Sequence, residues 1–135
     1  MKTLTLKNYA LKMTALFLGV VLFASCSKDK KDGPGGYPRT VNVEYRVTSL
    51  ANITSGEINY LNETGAVTTV DPATLPFSKK LTKKINAAGE VVHVSFYSSG
   101  PGSVKLEVLI DGKVVETKTP SSTTSLYETA SYGFQ

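Results

Sequence analysis

The sequence predicts an all-β domain, an immunoglobulin- or transthyretin-like antiparallel sandwich of about seven strands, preceded by an export leader and a tether. Two observations predict it. Apolar residues recur every second position in several short runs, and turn residues separate those runs at intervals that suit a sandwich. Alternation of period two marks a strand with one buried face, and several such strands spaced by turns mark a sandwich. A body of roughly this length, about residues 39–135, buries one core and not two.

The first strand is the clearest. Val41, Val43, Tyr45 and Val47 alternate with Thr40, Asn42, Glu44, Arg46 and Thr48. The pattern returns at Ile58 and Tyr60, at Val92, Val94 and Phe96, at Val104, Leu106, Val108 and Ile110, and at Leu126, Ala130 and Tyr132. Between these runs stand the turn signals Asn62-Glu63-Thr64-Gly65, Asp71-Pro72, Ala88-Gly89, Ser99-Gly100-Pro101-Gly102 and Asp111-Gly112. The last separates Val108-Leu109-Ile110 from Lys113-Val114-Val115, and Asp-Gly tolerates the positive φ of a two-residue hairpin turn, so a tight hairpin is expected there. Phe77, Leu81 and Ile85 recur every four residues, which fits a helix after Pro76 as well as one face of a strand. Lys79 and Lys83 between them favour the strand, at a sheet edge, where charge discourages pairing with another molecule.

Ahead of this body, Lys2, Lys7 and Lys12 precede an apolar stretch from Met13 to Ala24, followed by Ser25 and the sole cysteine, Cys26. The stretch is shorter than the roughly 20 apolar residues that span a bilayer, so residues 1–25 read as a signal. The pattern resembles a bacterial lipoprotein signal, whose lipobox ends at the cysteine that receives diacylglycerol. Leu is usual three places before that cysteine, and here the position holds Phe23, with Leu22 one earlier. The resemblance implies lipidation of Cys26 and a place in the bacterial cell envelope, at the outer membrane, facing the periplasm or the exterior. Two or three acyl chains hold a protein on a membrane stably where one is marginal. Residues 26–38 are charged, then rich in Gly and Pro, and read as a flexible tether.

Charge follows the same division. Three of the fifteen basic residues lie in the leader, which leaves twelve against eleven acidic residues from Cys26 onward. The basic field that nucleic-acid binding needs is therefore absent from the body, and a nucleic-acid partner is excluded. A single cysteine forms no disulfide within the chain, so stability rests on packing.

Residues with chemistry are sparse. His93 stands alone between Val92 and Val94, on the face opposite the expected core. The carboxylates are scattered rather than grouped as metal ligands, and neither a Gly-x-Ser-x-Gly nor a phosphate-binding loop is present. The chain is accordingly expected to be non-catalytic and to need no cofactor. Asn52-Ile53-Thr54 and Asn62-Glu63-Thr64 fit the N-glycosylation pattern, which the bacterial signal makes irrelevant. Lys79, Lys80, Lys83 and Lys84 form the one charge concentration of the body. As a strand, Lys80 and Lys84 share a face with Ser78 and Thr82, while Lys79 and Lys83 point the other way. They are candidates for contact with anionic headgroups or acidic glycans, or serve solubility and edge protection. Tyr97, Tyr127 and Tyr132 lie near strand ends, where rings either line a sugar or peptide site or border the core.

Four blocks carry a further likeness. Val43-Glu44-Tyr45-Arg46-Val47-Thr48, Gly56-Glu57-Ile58-Asn59-Tyr60, Leu75-Pro76-Phe77-Ser78-Lys79 and Gly102-Ser103-Val104 leading to Val108-Leu109-Ile110-Asp111-Gly112-Lys113-Val114-Val115 resemble, in order and spacing, the MmpS family of small mycobacterial membrane proteins. The resemblance covers most of Val41 to Thr119. It implies an extracytoplasmic β-sandwich and a role as accessory to a large exporter of lipids or siderophores. Family members commonly carry a transmembrane helix and a cysteine pair near the C-terminal strands; this chain has a lipobox and no such pair. Adhesion or carbohydrate binding at the cell exterior is the competing expectation.

Overall fold

The thirteen alternating residues Arg39–Ala51 form β1, with Val41, Val43, Tyr45 and Val47 buried and their neighbours turned outward. The computed structural model describes residues 36–135; the leader, Cys26 and the tether through residue 35 lie outside the described residues. Eight further strands follow: β2 (Ser55–Leu61), β3 (Val67–Thr74), β4 (Phe77–Ile85), β5 (Val91–Ser98), β6 (Gly102–Ile110), β7 (Lys113–Lys118), β8 (Ser121–Ser122) and β9 (Leu126–Gly133). All pairings are antiparallel. One sheet, here sheet A, runs β4-β1-β6-β7 with β8 added on β6, and sheet B runs β3-β2-β5-β9. The two pack face to face, as the alternation predicts.

The ambiguous segment Phe77–Ile85 is a strand, not a helix, and it is an edge of sheet A. Its partner is β1, from Arg39 opposite Ile85 to Val47 opposite Phe77. The Asp111-Gly112 turn also forms as expected, with φ of 49° and 80° and Ile110 opposite Lys113. Asp111 is tied to β1 as well: its N–H donates to the Asn42 carbonyl at 2.8 Å, and its Oδ1 accepts from the Asn42 N–H at 2.9 Å.

Two strands exceed the seven expected. The short β8 has only two residues, and β3 lacks a continuous apolar row because Thr68, Thr69, Asp71 and Thr74 interrupt it. Asp71-Pro72, expected as a turn, lies inside β3. Gly56 pairs with Ala73 and Ile58 with Val70, so two residues of β3 oppose the single Glu57 of β2, a bulge at an edge strand where a proline is tolerated.

The core between the sheets joins Tyr45, Val47, Ile58, Leu81, Ile85, Val92, Val94, Phe96, Leu106, Val108, Leu126, Ala130 and Phe134. Tyr45 is fully buried, its ring 5.6 Å from that of Tyr60, and its hydroxyl donates to the Leu61 carbonyl at 2.9 Å. A phenol buried in this way has its hydroxyl partner within the fold.

Just ahead of β1, Tyr37 packs against the core. Its hydroxyl donates to the Gln135 carbonyl at 2.8 Å, and the Arg39 guanidinium lies 5.3 Å from the Tyr37 ring and 5.4 Å from the Phe134 ring. The first and last residues of the sandwich therefore meet at one pole. The turns after β1, β3 and β5 lie at the other pole, roughly 40 Å away along β1 at about 3.3 Å per residue.

Candidate binding face

Strand pleating decides where the four candidate lysines go. Lys79 and Lys83 fall on the inward row of β4 and Lys80 and Lys84 on the outward row, so the structure does not gather them. Lys83 is only 6% exposed, and its Nζ lies 3.5 Å from where a side chain on Gly65 would begin, at the β2–β3 turn. Its long stem covers one end of the sandwich. Lys80 and Lys84 remain on the outer face.

That outer face of sheet A is a set of matched charges. The Glu44 carboxylate, 12% exposed, accepts from Arg46 Nε at 2.7 Å, Arg46 Nη2 at 3.0 Å and Ser78 Oγ at 2.9 Å, with Lys80 Nζ at 3.9 Å. The Arg46 bonds outweigh burial and hold the Glu44 carboxyl below the usual carboxylate range. Lys105 pairs with Glu107 at 3.1 Å, and Lys118 with Glu116 at 3.3 Å. A hollow of about 410 Å³ opens here between Asn42, Glu44, Lys80, Thr82 and Asp111. Its polar groups are largely engaged with one another: Asn42 bonds Asp111, Thr82 Oγ1 donates to Asn42 Oδ1 at 3.2 Å, and Glu44 is held by Arg46.

The outer face of sheet B is built differently. Cross-strand register sets Glu57 opposite Tyr97 and Tyr97 opposite Tyr127, one row across three strands. The next row runs Thr69, Asn59, Ser95, Thr129. Tyr97 and Tyr127 are exposed, at 44% and 68%. Tyr132 belongs to the other face of β9, where its ring meets Phe134 edge-on at 5.2 Å, so it is a border residue and not part of this surface.

Beside this row lies a cleft of about 260 Å³ lined by Ser55, Gly56, Glu57, Asp71, Pro72, Tyr97, Ser98 and Ser99. It depends on close approach of β2 and β5: a Cβ on Gly56 would collide with the Tyr97 carbonyl and the Phe96 ring. The β3 bulge brings in Asp71. Asn59 Nδ2 donates to Glu57 Oε1 at 2.6 Å, which orients that carboxylate. We regard this smaller cleft, rather than the larger hollow on sheet A, as the candidate site, because it joins an exposed ring to carboxylates.

His93, opposite Ser131 on the same outer face, is partly buried, and burial lowers its pKa. Burial thus disfavours its charged form. Among the described residues no three His, Cys, Asp or Glu side chains converge as metal ligands, and no helix is long and apolar enough to cross a membrane. Compared with known proteins, the chain matches no family model and no curated protein.

Proposed function

We propose that the chain is a non-catalytic lipoprotein of the bacterial cell envelope, anchored through acyl chains on Cys26, whose β-sandwich is a binding or accessory domain for a membrane transport complex. The observation that carries this reading is the apolar run ending in Ala24-Ser25-Cys26, followed by a charged, Gly- and Pro-rich tether. The MmpS-like blocks of the sequence, from Val43 to Val115, motivate the transport role.

Detergent-phase partition tests the anchor. The wild-type chain made in a bacterial host is expected in the detergent phase and the Cys26→Ser variant in the aqueous phase; an aqueous wild type contradicts the reading. Affinity capture from detergent-solubilised membranes tests the accessory role, for which a polytopic transporter is the expected partner. A second reading, a carbohydrate-binding module on the cell exterior, is favoured by the exposed Tyr97 beside Glu57 and Asp71.

A further inference from the structure

We infer that the cleft between Ser55–Glu57, Asp71-Pro72 and Tyr97–Ser99, together with the Tyr97–Tyr127 row, is a binding site for a neutral oligosaccharide. This rests on the anchored binding-domain reading above and gives it a place and a ligand class.

Four features carry the inference. The first is the pair of exposed rings. A sugar ring has an apolar C–H face and a rim of hydroxyls, so it binds where a flat aromatic surface adjoins fixed hydrogen-bonding groups. Tyr97 lines the cleft, and Tyr127 stands directly opposite it on β9. Tyr127 reaches along its own strand, with Thr129 Oγ1 donating to its hydroxyl at 3.4 Å, and is a second exposed ring on the neighbouring strand for the next residue of a chain. Tyrosine presents such area at low conformational cost.

The second feature is the acceptor set. Glu57 has one carboxylate oxygen bonded by Asn59, and Asp71, from the neighbouring strand β3, also lines the cleft. Carboxylates accept from neighbouring hydroxyls of a sugar, and charge-assisted bonds of this kind are the stronger ones. Ser55, Ser98 and Ser99 add hydroxyls around the rim. The third feature is charge. Two carboxylates and no Lys or Arg line the cleft, which disfavours phosphate, sulfate and uronic acid groups and selects a neutral glycan. The volume, about 260 Å³, is below the roughly 300 Å³ at which pockets for drug-sized ligands begin, and so suits one ring with the next lying on the open face.

The fourth feature argues against a peptide. Peptides join sandwiches chiefly as an added strand along a free edge. The edge beside this cleft is β3, whose ladder is interrupted by the Asp71-Pro72 bulge and by a proline that has no N–H to offer. The site also lies at the pole away from Tyr37.

The test uses the lipidated chain, extracted from membranes in detergent, on an array of immobilised neutral gluco-, manno-, galacto- and xylo-oligosaccharides. Those retained are then titrated while tyrosine fluorescence is followed, in a protein that contains no tryptophan. Selective retention of at least one neutral series is expected. Tyr97→Ala is expected to weaken it about tenfold, and Tyr127→Ala to weaken binding of the longer chains more than the shorter. Tyr97→Phe, which keeps the ring, is expected to retain most of the affinity, and thermal melts show that each variant folds. Absence of any retained neutral glycan overturns the inference. So does equal binding by the Tyr97→Ala, Tyr127→Ala double variant, or retention of acidic glycans alone that is lost with Lys80→Ala and Lys84→Ala. Because the array is read in detergent, its failure leaves the anchor intact, whereas failure of the Cys26 partition test leaves the glycan result standing.

Discussion

The two outer faces of the sandwich share one backbone pattern and differ in how their side chains are satisfied. On sheet A, Glu44, Arg46, Ser78 and Lys80 bond one another, and Lys105 and Lys118 each have a carboxylate partner. On sheet B, two tyrosines stand exposed, and Tyr97 shares a cleft with the carboxylates of Glu57 and Asp71. A face whose charges are matched within itself is suited to solvent, and its exposed ion pairs add little stability. A face that combines exposed rings with acceptors is suited to a ligand. The comparison teaches that the larger of the two hollows and the densest charge, both on the β4 side, are weaker guides to a site than exposed rings beside acceptors.

Replacing the side chain beneath both faces breaks the comparison most severely. Phe96 is fully buried between the sheets, directly after Ser95 and before Tyr97. Phe96→Ala is expected to cost about 3–5 kcal/mol in urea unfolding, and to remove glycan binding with the fold. Gly56→Ala acts on sheet B alone. Its added methyl meets the Tyr97 carbonyl and the Phe96 ring, so a loss of about 1–3 kcal/mol is expected, together with a deformed cleft and an unchanged Glu44 network.

Tyr45→Phe sharpens the contrast at the level of the core. It removes the hydroxyl donor to the partly buried Leu61 carbonyl, for a cost of about 1 kcal/mol. Burial, with a smaller contribution from Glu63, pushes the Tyr45 pKa well above the usual tyrosine value of 10. The folded state thus keeps a proton that the unfolded state loses above pH 10, and stability falls as pH rises past that point. Urea midpoints from pH 8 to 11 are expected to fall less steeply in Tyr45→Phe than in the wild type.

Glu44→Gln gives the smallest effect and touches sheet A only. Its lowered pKa means that its contribution is present above the ordinary carboxylate range and is lost as pH falls through the folded value. The variant is expected to flatten the acid limb of the stability curve and leave glycan affinity unchanged, with thermal melts from pH 3 to 7 as the measurement.

Most of the fold was legible because alternation reports burial directly: β1, β5 and β6 carry uninterrupted apolar rows, and Asp111-Gly112 names its own turn. Segment β4 was legible as an edge from the lysines in its inward row. Strand β3 was not, since Thr68, Thr69 and Thr74 give no apolar row and Asp71-Pro72 reads locally as a turn; only pairing with β2 makes it a strand. The cleft was legible in part. That Tyr97 and Tyr127 face outward follows from the buried Phe96 and Leu126 beside them, but that they face each other next to Glu57 depends on register between strands distant in sequence. The interior position of Lys83 likewise needed the β2–β3 turn above it, which no local pattern supplies.

The central claim is that this sandwich works on an acyl anchor, and intact-mass analysis of the protein purified from its native membrane tests it most directly. The account predicts a chain beginning at Cys26 and carrying the added mass of a diacylglyceryl group. A chain with an unmodified thiol at Cys26, or one cleaved beyond it, contradicts the account.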